Sequence, residues 1–208
     1  MMIVAAALAG SAVGWALTRR LATLGYRRPD ETGRPAPTTR WWLVPMLGCA
    51  WAWLTFALAA QPRPLVVMWL PLTAALGWVA AVDLDVQRIP NRVLGLAALW
   101  TGLCLVSLGV VTGSWDALTR GLLAGAGCFL GFAALHIASR GALGFGDVKL
   151  AALLGTAVGV VSLAALAAAL VLGCVLALVW AAITRSRELP FGPWLGLGAV
   201  LATGLPGL

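Results

Sequence analysis

Apolar stretches of roughly twenty residues alternate along the chain with short polar or basic connections. A bilayer crossing needs about 20 mostly apolar residues, and the segments that qualify are 1–18, 41–60, 64–82, 93–112, 119–139, 148–163, 164–184 and 191–207. The sixth and seventh form one run from Val148 to Thr184, too long for a single crossing, and the stretch from Gly155 to Gly159 is where it is expected to divide. The pattern predicts an all-α, polytopic membrane helix bundle of about eight transmembrane helices, with residues 1–208 forming one membrane-embedded domain. The longest polar stretch, Ala22 to Arg40, leaves no room for a soluble domain. The first run has no basic residue ahead of it and Arg19 and Arg20 directly after it, the reverse of a secretory signal. It is expected to be a retained helix with its N-terminus outside.

Composition strengthens this picture. Hydrophobic side chains make up 62% of the 208 residues and charged ones 10%, with a mean hydropathy of +0.97, whereas a soluble domain carries about 25% charged residues. A soluble enzyme, a disordered tail and a secreted disulfide scaffold are thereby excluded. The net charge of +7 is strung between apolar runs and forms no single patch, so it reads as topology and not as nucleic-acid binding. Arg19, Arg20, Arg27, Arg28, Arg34, Arg40, Arg88, Arg92, Arg140, Lys149, Arg185 and Arg187 flank alternate junctions, against only Arg63 and Arg120 on the others. This asymmetry places the first set in the cytoplasm and both termini on the far side. Trp41, Trp42, Trp115 and Trp194 suit interfacial anchors, and Trp51, Trp53 and Trp100 suit packing. Cys49, Cys104, Cys128 and Cys174 are single and far apart, so they read as buried small hydrophobes.

Of the seven acids, Asp30, Glu31, Asp116 and Glu188 fall in polar connections where a carboxylate is solvated. Asp83 and Asp85 close the third span just ahead of Ile89-Pro90-Asn91, and Asp147 opens the sixth within Gly-Ala-Leu-Gly-Phe-Gly-Asp-Val-Lys. A carboxylate at a span boundary reads as a solvated interfacial group, and Asp147 can equally cap its helix. Taken together, Asp83 and Asp147 have a sharper reading. Both sit at helix ends beside chain-breaking residues on the cytoplasmic side, and two converging carboxylates can share one proton. The ionised one then activates water and the protonated one polarises a carbonyl, the chemistry of aspartic peptide hydrolysis. His136 has no second ligand nearby in sequence and reads as a hydrogen-bonded packing residue, so neither a metal nor another cofactor is expected. Lys149 points away from Asp147 on a helix and reads as snorkelling to the interface.

The segment Gly144-Phe145-Gly146-Asp147-Val148-Lys149-Leu150 resembles the GxGD signature of the type IV prepilin leader peptidases, polytopic aspartic proteases of the inner membrane. Asp83 with Ile89-Pro90-Asn91 resembles that family's first catalytic aspartate motif, and Pro190-Phe191-Gly192-Pro193 resembles its PFGP segment before the last helix. The resemblance implies that Asp83 and Asp147 are the catalytic pair within a motif-bearing core of about 64–207. Gly144, Gly146, Lys149, Pro90, Asn91, Pro190, Phe191, Gly192 and Pro193 would support them, with Asp85 outside the catalytic position. It also implies the substrate, a prepilin or pseudopilin whose short basic leader is cut on the cytoplasmic side of its hydrophobic helix. For Pro190 to Pro193 two readings stand side by side, a rigid helix start and a wall of the substrate groove. Family members with a large cytoplasmic loop carry paired CxxC motifs and methylate the new N-terminus. The cysteine-free Ala22–Arg40 stretch resembles the compact, peptidase-only branch, which carries no expectation of zinc or methylation. Two alternatives are a presenilin-like GxGD protease, which would need a Tyr-Asp and a Pro-Ala-Leu motif, and a transporter or scaffold with acids near mid-bilayer.

Overall fold

The computed structural model describes residues 1–37, 39–185 and 189–205, so Arg187, Glu188 and the last two residues of the eighth expected span lie outside the described residues. Among the described residues, eight α-helices follow one another. They are α1 (Met2–Ala22), α2 (Leu43–Ala57), α3 (Arg63–Val86), α4 (Asn91–Thr112), α5 (Asp116–Ala138), α6 (Phe145–Gly159), α7 (Leu163–Thr184) and α8 (Gly192–Thr203), with a 3-10 turn at Pro29–Glu31. The order is the one the hydropathy pattern predicts. Five helices, α1, α3, α4, α5 and α7, are long and apolar enough to cross a membrane. The other three are shorter than the pattern suggests, at 15, 15 and 12 residues for α2, α6 and α8.

Local chemistry explains the boundaries. Helix α3 starts with Pro64 in its first turn and runs to Val86, where Gln87 takes a left-handed conformation with φ 51° and Pro90 then introduces α4. Asp83 and Asp85 therefore lie inside the last turn of α3, not after the span. The α6–α7 break falls at Val160–Ser162, directly after the expected glycines, because the Ser162 hydroxyl accepts hydrogen bonds from the Ala164 and Ala165 amides and caps α7. Arg120 closes the other side of that break. Its guanidinium donates to the carbonyls of Gly159 and Val160 at 3.0 and 2.6 Å, meeting the negative end of α6.

Helices α3 and α6 form the centre, burying Met68, Trp69, Leu72, Val79 and Val82 from one and Val148, Leu150, Leu154, Ala157 and Val158 from the other. Helices α4, α5 and α7 turn Leu99, Leu103, Leu130, Leu178 and Ile183 outwards, as a bilayer-facing surface would. Three hairpins pack through glycine, since lipid supplies no hydrophobic force between helices and close approach must replace it. A Cβ on Gly14 of α1 would lie 2.8 Å from the backbone of Val44, one on Gly125 of α5 would lie 2.9 Å from the Ala152 carbonyl, and one on Gly198 of α8 would lie 2.7 Å from the Gly173 amide. We expect Gly125→Ala to destabilise the protein in detergent by about 1–3 kcal/mol, the range for overpacking a close contact. Gly127→Ala, two residues away with nothing within 4 Å of the new methyl, should leave thermal unfolding unchanged. Equal melting of the two variants would refute this packing.

Several side chains sit differently from the sequence expectation. Cys104 and Cys128 are buried, but Cys49 and Cys174 are exposed on the outward faces of α2 and α7. Trp194 packs on Trp180 with ring centroids 5.2 Å apart. Glu31 is not solvated: Arg88 donates to both its carboxylate oxygens at 2.9 Å, which holds the carboxyl below its ordinary range. Pro71 inside α3 has no N–H for the Val67 carbonyl, and the Trp100 indole of α4 donates to that carbonyl instead, at 3.3 Å.

Candidate active site

The connections α1–α2, α3–α4, α5–α6 and α7–α8 meet at one end of the bundle. Arg88 reaches Glu31, Lys149 reaches Asn91, and the Gly192 amide reaches Asp83. Between them lies a cavity of about 830 Å³ whose walls include Asp83, Pro90, Asn91, Gly144, Gly146, Asp147 and Lys149. Two carboxyls from separate helices thus face one space. Asp83, in the last turn of α3, is 5% exposed. Asp147, in the first turn of α6, is half-buried.

The glycines of both motifs are explained by what their missing side chains leave open. Gly144 is the N-cap of α6, and a Cβ there would lie 3.0 Å from the Asp147 Oδ2. A Cβ on Gly146 would lie 2.9 Å from the Cβ of Ile89, so only glycine lets the start of α6 abut the turn that precedes Pro90. Gly192 brings its amide to 3.1 Å from the Asp83 Oδ2, and a Cβ on Gly192 would also lie 3.1 Å from that oxygen. The three sequence motifs are thus interlocked by backbone contact around the two aspartates.

The remaining candidates divide. Lys149 has a partner at the bundle end: its Nζ donates to the Asn91 Oδ1 at 3.1 Å and lies 5.1 Å from the Phe145 ring centre, tying the GxGD segment to the Pro90-Asn91 turn. Pro193 lies in the first turn of α8, the rigid-start arrangement. Phe191 packs against Phe132 at 6.2 Å, and the PFGP segment stands behind Asp83 and is not among the cavity walls. His136 bonds through Nδ1 to the Leu143 carbonyl at 2.5 Å, bracing the loop before Gly144. Among the described residues the Asp147 Oδ1 is buried without a hydrogen-bond partner.

A second charged cluster was not legible in advance. Asp85 points away from the cavity, as positions two apart on a helix must, yet it does not reach water. Arg27 clamps it through Nε to Oδ2 at 3.0 Å and Nη2 to Oδ1 at 2.7 Å, Arg40 lies 3.5 Å from Oδ2, and the Tyr26 hydroxyl donates to the same oxygen. Arg40 in turn donates to the Tyr26 hydroxyl and to the Leu21 carbonyl. This cluster fastens the 22–40 segment to the end of α3, so that Tyr26 and Arg28 wall the cavity. The available signal was the excess of arginines in that segment, too many for its own two acids.

Chemically, the site offers two carboxyls at the edge of an apolar interior and room for an extended peptide. Among the described residues, no group of three or more His, Cys, Asp or Glu side chains is placed to hold a metal ion.

Comparison with known proteins finds a matching family and several relatives. The model described as the type IV leader peptidase family matches residues 70–182, a range that contains Asp83, Ile89-Pro90-Asn91 and Asp147 and stops short of Pro190. A type 4 prepilin-like proteins leader peptide-processing enzyme of Escherichia coli is 34% identical over 157 residues, covering 71% of this chain and 56% of that protein. Prepilin leader peptidase/N-methyltransferases of Pseudomonas putida and Pectobacterium carotovorum subsp. carotovorum are each 30% identical. The first aligns over 171 residues (75% of this chain, 56% of the relative) and the second over 148 (64% and 53%). The chain spans about half the length of the curated relatives it matches. No solved structure matches it.

Proposed function

We propose, from the premise that this chain belongs to the type IV leader peptidase family, that it is a multi-pass inner-membrane aspartic endopeptidase removing the short basic leader from prepilins or pseudopilins. The observation that carries the reading is the placement of Asp83 and Asp147, from different helices, on one cavity at the end of the bundle where the basic connections gather. By the asymmetry of Lys and Arg, that end faces the cytoplasm. Both chain ends then lie on the far side.

The pair works with one shared proton, because like charges in a poorly solvated cavity do not both ionise. The ionised carboxylate takes a proton from a water molecule as its oxygen attacks the scissile carbonyl carbon, and the protonated partner donates to the carbonyl oxygen. Return of that proton to the carboxyl pair and its delivery to the amide nitrogen break the C–N bond. This leaves a carboxylic acid on the leader and an amine on the mature chain. Interlocked glycine contacts hold the two carboxyls at fixed positions before substrate arrives, which is what such proton transfers require.

The test is cleavage of a synthetic peptide, a basic leader followed by a hydrophobic helix, by the full chain in liposomes, with release of the leader read by mass spectrometry. Cleavage is expected and strong chelators should not change its rate, since the proposed steps use only water and two carboxyls. Activity abolished by chelator and restored by zinc would overturn the mechanism, and an intact peptide would overturn the function.

A further inference from the structure

A second, largely apolar recess lies between α3 and α4, with a volume of about 310 Å³. Pro71 and Ala75 of α3 and Val93, Leu96, Ala97 and Trp100 of α4 line it. It opens sideways, towards the bilayer: Pro71 is exposed, and so is Leu96, at 69%. The Trp100 N–H is taken by the Val67 carbonyl that Pro71 leaves without a donor. Val93 lines both this recess and the cavity holding Asp83 and Asp147. The two spaces thus lie on either side of Val93, and from there the recess runs along α4 to Trp100, about 10 Å further from the cavity end at the helical rise per residue.

We infer that this groove receives the first turns of the substrate's hydrophobic helix, on the mature side of the scissile bond. The inference rests on the peptidase reading above and specifies how such a substrate is held. A chain that is polar and basic before the cut and apolar after it changes character at the scissile bond, and the two neighbouring spaces change character in the same way across Val93. The cavity side presents Arg28, Asn91, Arg92 and the two aspartates, and the groove side is lined by aliphatic side chains and an indole. The recess holds a few side chains of one helix face, not a whole helix, so the substrate lies against α3 and α4 and stays in contact with lipid. In lipid such docking is driven by close packing, which the small side chains of Ala75 and Ala97 permit.

Filling the groove with Ala97→Trp separates this inference from its rivals when two peptides are compared in liposomes. One carries the basic leader and the full hydrophobic helix, and the other carries the leader and only the few residues after the bond. For the long peptide KM should rise about tenfold or more with kcat little changed, while kcat/KM for the short one stays within about twofold. Leu130→Trp, on the outward face of α5, should alter neither. A photo-crosslinker at Leu96 should capture the substrate helix in an otherwise unaltered protein, and one at Leu130 should not. Equal losses on both peptides, no loss on either, or crosslinks at Leu96 to lipid alone would overturn the groove assignment while leaving the peptidase reading standing. Failure of the unaltered chain to cut either peptide would overturn the peptidase reading, and the groove with it.

Discussion

Asp83→Asn and Asp147→Asn should each lower leader cleavage by at least about 10³-fold, the scale on which an essential acid–base group is missed. An amide keeps the size and much of the hydrogen bonding of a carboxyl but can neither accept the proton of the attacking water nor hand one to the leaving nitrogen. At Asp83 the asparagine side-chain oxygen can still accept from the Gly192 amide, now 3.1 Å from the carboxyl. The helix end and the Gly192 contact are thus retained. At position 147 the substitution also leaves Gly144 and Gly146 in place, and with them the seat of α6 against Ile89. Both variants should therefore insert and melt as the unaltered protein does, and the loss should appear in the rate of cleavage alone. Leader release measured beside thermal unfolding in detergent decides it. A variant that melts normally and cuts within tenfold of wild type would remove that residue from the dyad.

The order of the helices was legible because each apolar run has its own punctuation. Pro62 and Pro64 open α3, Pro90 opens α4, Gly113 closes α4, and Pro193 opens α8. Hydropathy misplaced the end of α3 for a physical reason. It registers where polar side chains begin, at Asp83, whereas the backbone continues its hydrogen-bonded ladder until Gln87 turns left-handed. The convergence of Asp83 and Asp147 was legible through glycines whose purpose lies in contacts the sequence does not print, such as Gly146 against Ile89. What the sequence hid were pairings between distant charges. Glu31 finds Arg88, and Asp85 finds Arg27 and Arg40, only once the 22–40 segment folds back over the bundle end. Read singly, each of those acids belongs to a polar connection or a span boundary, where solvation is the ordinary state. The partner of Lys149 was hidden in the same way, since Asn91 is 58 residues away.

The buried cluster at Asp85 gives the other large expected effect, and its signature differs from that of the dyad. Side chains of Arg27, Arg40 and Asp85 are 3%, 7% and 6% exposed, so the carboxylate is the counter-ion of two guanidiniums that little water reaches. Removing one member of such a group is costly because the others stay behind uncompensated. Asp85→Asn leaves Arg27 and Arg40 without that charge, and should lower the unfolding temperature in detergent by about 5 °C or more. Cleavage should fall far less than for Asp83→Asn, by about tenfold at most, because Asp85 holds Tyr26 and Arg28 at the cavity wall and does not touch the reacting atoms. Combining Asp85→Asn with Arg27→Gln should cost less stability than the two single changes added together, since the second removes a charge that the first has stranded. Strict additivity would mean that the guanidinium and the carboxylate do not act as a pair. An Asp85→Asn protein that melts like wild type yet loses activity as completely as Asp83→Asn would overturn the division of labour between the two aspartates of this helical turn.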